Sequence, residues 1–392
     1  MRSLFQAVLL AGLMVWSWPL AAQQGHSCSN YRIIVDSPED KLMLAVNGTE
    51  DPNAKVAALA KFAQEHPDSN YVHCAEQLLT KNYLQLRQYD QAIAAGQKVV
   101  AAGFLDVPFL EDLLRAYMGT GKSSDASFDL IMKAPAQIKA ETVVPRSTTE
   151  SDAQYEAAKA NAMKRAKDDT DFMVYAFFRF LPGVTNPSQQ IKYLDQFAQA
   201  YPEAAKERAG LLNYRYAVAY TQSNQPEKAD EYAEKAIASE PNNIEALNLV
   251  SYDYALRRRT NQAKAAEYAK KVLTLIPTVK KPEGVTDEAF KAQQNTQAGM
   301  ARLTLGYLDL AKTGASHQTA GAIKELQQAT DLLNANPELQ GQAYYFLGYS
   351  YEALYPPQHH QAITALQKAV TIQSAMQAQA RELLAKIKRV AH

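Results

Sequence analysis

The sequence predicts an all-α chain, a solenoid of stacked antiparallel helix pairs. Three observations predict it. Good helix formers dominate, while Gly and Pro number only 16 and 17 in 392 residues. A phrase recurs: "LAKFAQEHP" at 59–67 and "LDQFAQAYP" at 194–202 share Leu-x-x-Phe-Ala-Gln-x-aromatic-Pro, and each Pro can end a helix. Four times an Ala follows a Tyr by nine residues: Tyr83 and Ala92, Tyr117 and Ala126, Tyr220 and Ala229, Tyr254 and Ala263. A large side chain late in one helix fills the space inside a hairpin. A small one early in the next lets the backbones approach. Such a hairpin cannot bury its apolar face alone, so it stacks on its neighbours.

Residues 1–22 are expected to be a signal peptide. Arg2 supplies the positive end, Leu4 to about Trp18 the apolar run, and Ala22 the small residue before a cut at Gln23. The alternative is a membrane anchor, but so short a run does not comfortably span ~30 Å of hydrocarbon. Gly25, His26 and Ser27 ahead of Cys28 do not fit a lipoprotein signal. No later stretch is apolar enough to cross a bilayer. The expectation is a periplasmic or secreted protein, not a lipoprotein, with no membrane span after cleavage. Cys28 and Cys74 are the two cysteines. In an oxidising compartment they could pair and close a loop of about 46 residues, contributing ~3–4 kcal/mol by the chain-entropy model. Two unpaired thiols are the alternative.

After an N-terminal segment, 23–52, the repeat copies begin. Residues 73–104 supply Leu79, Tyr83, Ala92 and Val99; residues 107–137 supply Leu114, Tyr117, Ala126 and Leu130. Ala217, Tyr220, Ala229, Ala233, Ala236 and Pro241 stand in register over 210–241. Residues 244–277 carry Leu247, Tyr254 and Pro277 around a longer turn, "RRRTNQ". Residues 298–337 carry Gly306, Ala322, Leu326 and Ala329, with Asp309 where a Tyr is expected. The copy from Tyr344 has Leu347, Gly348, Tyr351, Ala362, Leu366 and Ala369, with about two extra residues in its turn. On these residues the chain resembles the tetratricopeptide-repeat (TPR) family, of an exported bacterial type. That pattern runs over ~34 residues as W-x2-L-G-x2-Y, then Ala, an aromatic or Leu, Ala and Pro. The resemblance implies a right-handed superhelical solenoid, in one array or split into two. The expected arrays are 53–137 and 171–375. Between them lies an insert, 138–170, of a loop and a polar helix. A second insert, 278–295, is polar, and 376–392 is a capping helix with Arg381, Lys386, Lys388 and Arg389.

One stretch imitates a phosphate loop. "AYMGTGKSSDA", 116–126, contains Gly-Lys-Ser, but Ala116 stands where the first glycine is required, and what precedes it has helical periodicity. It is expected to be a turn between repeat helices. No Gly-x-Ser-x-Gly, His-Glu-x-x-His or Cys-x-x-Cys occurs, and the seven His are scattered. His359 and His360 are expected in a solvated turn without a carboxylate partner. Lys+Arg and Asp+Glu are equal at 41, which argues against nucleic acid as a partner. The expectation is no enzyme, no cofactor and no metal.

In TPR arrays the first helix of each pair lines the concave face. Transferring that register places Lys81, Arg115, Val218, Tyr252, Tyr307 and Tyr349 at the ninth helix position. Gln77, Glu111, Tyr214, Asn248, Leu303 and Tyr345 fall at the fifth. The implied groove has a tyrosine stripe in the C-terminal half (Tyr214, Asn248, Tyr252, Tyr307, Tyr345, Tyr349) and a charged wall (Lys81, Arg115) in the N-terminal half. Tyrosine gives large contact area with few rotors and a polar tip. The expected role is a scaffold that binds a protein or peptide, in cell-envelope assembly. Alternatives are an enzyme or accessory subunit using a cleft between repeats, and a spacer that binds nothing. The stripe implies that Tyr252→Ala with Tyr349→Ala abolishes capture and leaves stability nearly intact.

Overall fold

The structure, a computed structural model, describes Cys28, residues 31–312 and residues 316–390. The expected signal peptide, 1–22, lies outside the described residues. Every regular element among the described residues is helical. The chain divides into two compact units, Met1–Gly183 and Val184–His392.

The first unit contains α1 (Pro38–Asn47), α2 (Pro52–Glu65), α3 (Val72–Gln85), α4 (Tyr89–Ala102), α5 (Val107–Thr120), α6 (Asp125–Glu141) and α7 (Asp152–Phe180). Local chemistry sets most of the boundaries. Ser37, Asp51, Asp106 and Ser151 accept hydrogen bonds from the first free N–H groups of their helices, and Pro38 and Pro52 sit where no N–H is needed. Gly103 and Gly121 end α4 and α5 with φ of 77° and 68°, a conformation that costs glycine little. Leu42, Leu59, Phe62, Ala75, Leu79 and Ala95 form a core across α1 to α4. Cys74 is buried in it and forms a disulfide with Cys28, the Cα atoms 5.5 Å apart.

The expected break at residue 170 is absent. The polar helix of the insert and the apolar helix after it are one helix, α7. Ser151 and Gln154 start it with a capping box. Its first half buries little beyond Ala162. Its second half buries Met173, Val174, Phe177 and Phe180, and Phe128 of α6 meets Phe177 and Phe180 edge-on. The phosphate-loop imitation is the α5–α6 turn, as expected: Ser124 caps α6 and Ser123 Oγ donates to Phe180 O at 2.6 Å.

The second unit contains α8 (Pro187–Ala200), α9 (Pro202–Glu207), α10 (Ala209–Gln222), α11 (Pro226–Ser239), α12 (Ile244–Tyr252), α13 (Gln262–Leu275), α14 (Asp287–Ala311), α15 (Ser316–Leu332), α16 (Pro337–Glu352), α17 (His359–Thr371) and α18 (Gln377–Val390). Three apolar clusters follow one another, across α10 to α14, α14 to α17, and α17 with α18. The insert at 278–295 is partly helix, because Thr286 caps α14 and starts it at Asp287. The basic residues of α18 face solvent, while Ala380 and Ile387 cover α17. Gly306 and Gly348 perform one task twice. A Cβ at either would lie 2.6 Å from Leu326 Cγ or Leu366 Cγ, so only glycine lets these helices approach.

The turns explain the Tyr–Ala spacing and its exceptions. Gln88 N donates to Tyr83 O and Gln225 N to Tyr220 O, both at 2.9 Å. Ala92 and Ala229, bonded back to those Gln carbonyls, are the buried small residues of the next helix. After Tyr254 and Tyr351 the buried residues in the same hydrogen-bonded place are Ala265 and Ala362, two positions later. Ala263 is exposed, so the nine-residue spacing from Tyr254 is a coincidence of sequence. The extra length after α12 is taken up by a π-helical turn, Asp253–Arg257, and by Arg259 and Asn261 at φ of 56° and 45°. After α16 it forms an open loop that ends at Gln358, whose N–H returns to Tyr351 O at 3.0 Å.

Candidate functional site

The tyrosines expected in the groove share the second unit but not one environment. Tyr307 of α14 meets Phe346 of α16 edge-on, ring centres 5.0 Å apart, and Phe346 meets Tyr345 at 5.2 Å. Tyr349, one turn further along α16, is 47 % exposed. These four residues make an aromatic run that is half-buried at Tyr307, Phe346 and Tyr345 and open at Tyr349. Burial raises the Tyr345 hydroxyl pKa, and Tyr349 and Glu382 push the same way. It stays a neutral hydrogen-bonding tip at any ordinary pH.

Tyr252 is a different case. It is 7 % exposed and packs into the core of α14 to α17. Its hydroxyl donates to Gln342 Oε1 at 2.7 Å, and Gln342 Nε2 donates to Glu338 Oε1 at 2.8 Å. Asn248 is also buried, with Nδ2 donating to Gln297 O at 3.1 Å. Neither side chain faces an open groove, because α14 and α16 close over this part of α12. Tyr214 is half-buried against the α10–α14 core. The expected indifference of stability to Tyr252→Ala is therefore corrected: that ring is part of the packing.

Lys81 and Arg115 belong to the first unit. Lys81 is exposed on α3. Arg115 bridges Glu111 at 2.6 Å and Asp112 at 3.4 Å, and its guanidinium lies 4.5 Å over the Phe172 ring of α7. Both stay exposed, and α7 touches Arg115 through Phe172 without burying it. Burial next to Glu111 and Glu141 pushes Asp169 up to about 6. A shallow cleft of about 570 Å³ nearby is lined by Val144, Ala158, Asn161, Lys164, Arg165 and Asp168. Its side chains are a solvated mixture with no nucleophile paired to a base.

The histidines also need a correction. His359 Nδ1 pairs with Glu352 Oε2 at 2.8 Å across the α16–α17 turn, and His73 Nδ1 lies 3.3 Å from Glu76 Oε2. Each pair joins one imidazole to one carboxylate. No group of three or more His, Cys, Asp and Glu able to hold a metal occurs among the described residues.

Sequence reasoning missed Phe346 and Gln342. Gln342 lies one turn before Tyr345 on the same face of α16. Phe346 had no such signal, since its neighbour Tyr345 occupied the predicted position. Also unforeseen is a stack of Tyr216, Tyr220 and Tyr232, with Lys228 over the Tyr220 ring and Lys235 over the Tyr232 ring.

No family model matches the sequence, and no curated protein matches it. Among solved structures the chain is similar to yeast Tom70, with 13% identity and a TM-score of 0.37 over 93% of this chain and 66% of that one. It is also similar to a tetratricopeptide repeat protein from Parabacteroides merdae, with 12% identity and a TM-score of 0.31 over 90% of this chain and 97% of that one. A third is the APC/C hetero-tetramer Cut9-Hcn1, with 11% identity and a TM-score of 0.29 over 91% of this chain and 84% of that one. Likenesses this remote assign neither a family nor a function. The all-α architecture of stacked helix pairs rests on the chain's own helices and their packing.

Proposed function

We propose that this chain is an exported scaffold that captures a protein or peptide on the aromatic face of α14 and α16, with a role in cell-envelope assembly. It is a binding protein rather than an enzyme. The observation that carries this is the exposure of Tyr349 at the end of the Tyr307–Phe346–Tyr345 run. An aromatic ring held by its neighbours loses little entropy when a partner covers it. Three of the four rings are already fixed by edge-to-face contacts, so the surface is formed before the partner arrives. Export is supported by the basic and apolar start of the sequence.

The test is selection of a displayed peptide library on the wild-type chain and on a Tyr345→Ala/Tyr349→Ala variant. Sequences enriched at least tenfold on the wild type and lost on the variant, at unchanged thermal stability of the fold, are the expected outcome. Equal enrichment on both would refute the aromatic face.

A further inference from the structure

Where α12 gives way to its π-helical turn, the second unit buries charge. Asp253 is 1 % exposed, and Asp230 of α11 is 6 % exposed. The Oδ1 atom of each has no hydrogen-bond donor among the described residues. Arg258 donates to the other oxygen of Asp230. Arg257 Nη1 comes within 2.9 Å of Asp253 Oδ1, but not along an N–H bond, so it supplies charge without a hydrogen bond. The same guanidinium lies 5.3 Å from the centre of the Tyr252 ring. Arg257, Asp253 and Tyr252 thus form one contact chain that continues through the Tyr252 hydroxyl to Gln342 on α16.

The surrounding groups leave Asp253 few partners. From α11 come Glu227, Asp230 and Glu234. Lys264 and Tyr268 of α13, with Tyr254 of the turn itself, all donate to Glu234. α14 brings Tyr307 to the same core, among apolar side chains. Arg257 and Arg258 are the cations left, and Arg258 serves Asp230 and Glu227. Two neighbouring buried carboxyls cannot both ionise without cost. Burial pushes Asp253 up to about 6, Asp230 adds to the rise, and Arg257 and Arg258 oppose it.

We propose that Asp253 is a protonation switch that sets how firmly α12 is latched to α16 through Tyr252 and Gln342, and so regulates the aromatic face. The regulatory meaning rests on the binding function proposed above; the switch itself does not. With its proton, Asp253 is neutral and Arg257 remains over Tyr252. When the proton leaves to solvent, the buried carboxylate must be hydrated, because Arg257 already lies against it without a hydrogen bond and Oδ1 has no other donor, and admitting that water loosens the turn. The folded carboxyl holds its proton more tightly than the ordinary Asp value of 3.8. Its contribution to stability is therefore complete below that value and is lost as pH rises through about 6.

Two measurements without any partner test this. Carboxyl ¹³C NMR on the wild type should give Asp253 a midpoint near 6; a midpoint at the ordinary Asp value overturns the proposal. Hydrogen-exchange protection, corrected for intrinsic rates, should fall about tenfold across 249–260 and 339–346 between about pH 5 and pH 7.5. Asp253→Asn should keep the acid-state protection at both pH values. A variant whose protection changes with pH as the wild type's does overturns it. Peptide capture enters neither measurement, so failure of the binding function would leave both standing.

Discussion

Tyr252 and Tyr349 occupy the same position in two copies of one helix pair, yet one is core and the other is surface. Tyr252 lies under α14 and α16 and gives its hydroxyl to Gln342. Tyr349 stands on α16 itself, and nearly half of it is open. A register says which way a side chain leaves its helix. Whether that direction meets solvent depends on how closely the next two helix pairs wrap around, and that is decided by residues far along the chain. Gly306 and Gly348 are two of them, because they let α14 and α16 lie tightly on α15 and α17.

The sharpest way to break this comparison is to truncate the buried member. Tyr252→Ala should cost about 3–5 kcal/mol, the range for removing a large ring from a core. Denaturant unfolding checks it, and a cost near zero would put the ring at the surface. A smaller change separates the ring from its hydroxyl. Tyr252→Phe keeps the packing and leaves Gln342 Oε1 without its donor, for a loss of about 1 kcal/mol. At the bottom of the scale, Tyr349→Ala should lie within about 0.5 kcal/mol of the wild type, as surface substitutions do.

Much of the fold was legible in the sequence. The alternation of large and small residues at Tyr83 and Ala92, and at Tyr220 and Ala229, is a local requirement of a tight hairpin, and the structure has both turns in the same hydrogen-bonded form. Insertions were legible as length but not as shape. "RRRTNQ" is visibly long, but a π turn and an open loop both absorb two residues, and which forms depends on what the turn packs against. α7 shows the opposite difficulty. Its stripe changes from polar to apolar near residue 170, which suggests a boundary, yet the backbone hydrogen bonds continue because no Pro, Gly or cap interrupts them.

The candidate surface was legible in part. Register placed Tyr307, Tyr345 and Tyr349 on one stripe, and Phe346 meets the first two of them. Tyr252 and Asn248 were placed on the same stripe, and their burial follows from the approach of α12, α14 and α16, which no local window contains. Arg115 stays exposed but is held by Glu111, Asp112 and the ring of Phe172, a residue 57 positions later on α7.

The most direct test is a benzophenone photocrosslinker placed at position 349 in one protein and at 252 in another, each irradiated in cells. Adducts to a distinct partner from position 349, with none from 252, are predicted. Partner adducts from 252 and silence at 349 would contradict the division between core and surface on which the proposed binding depends.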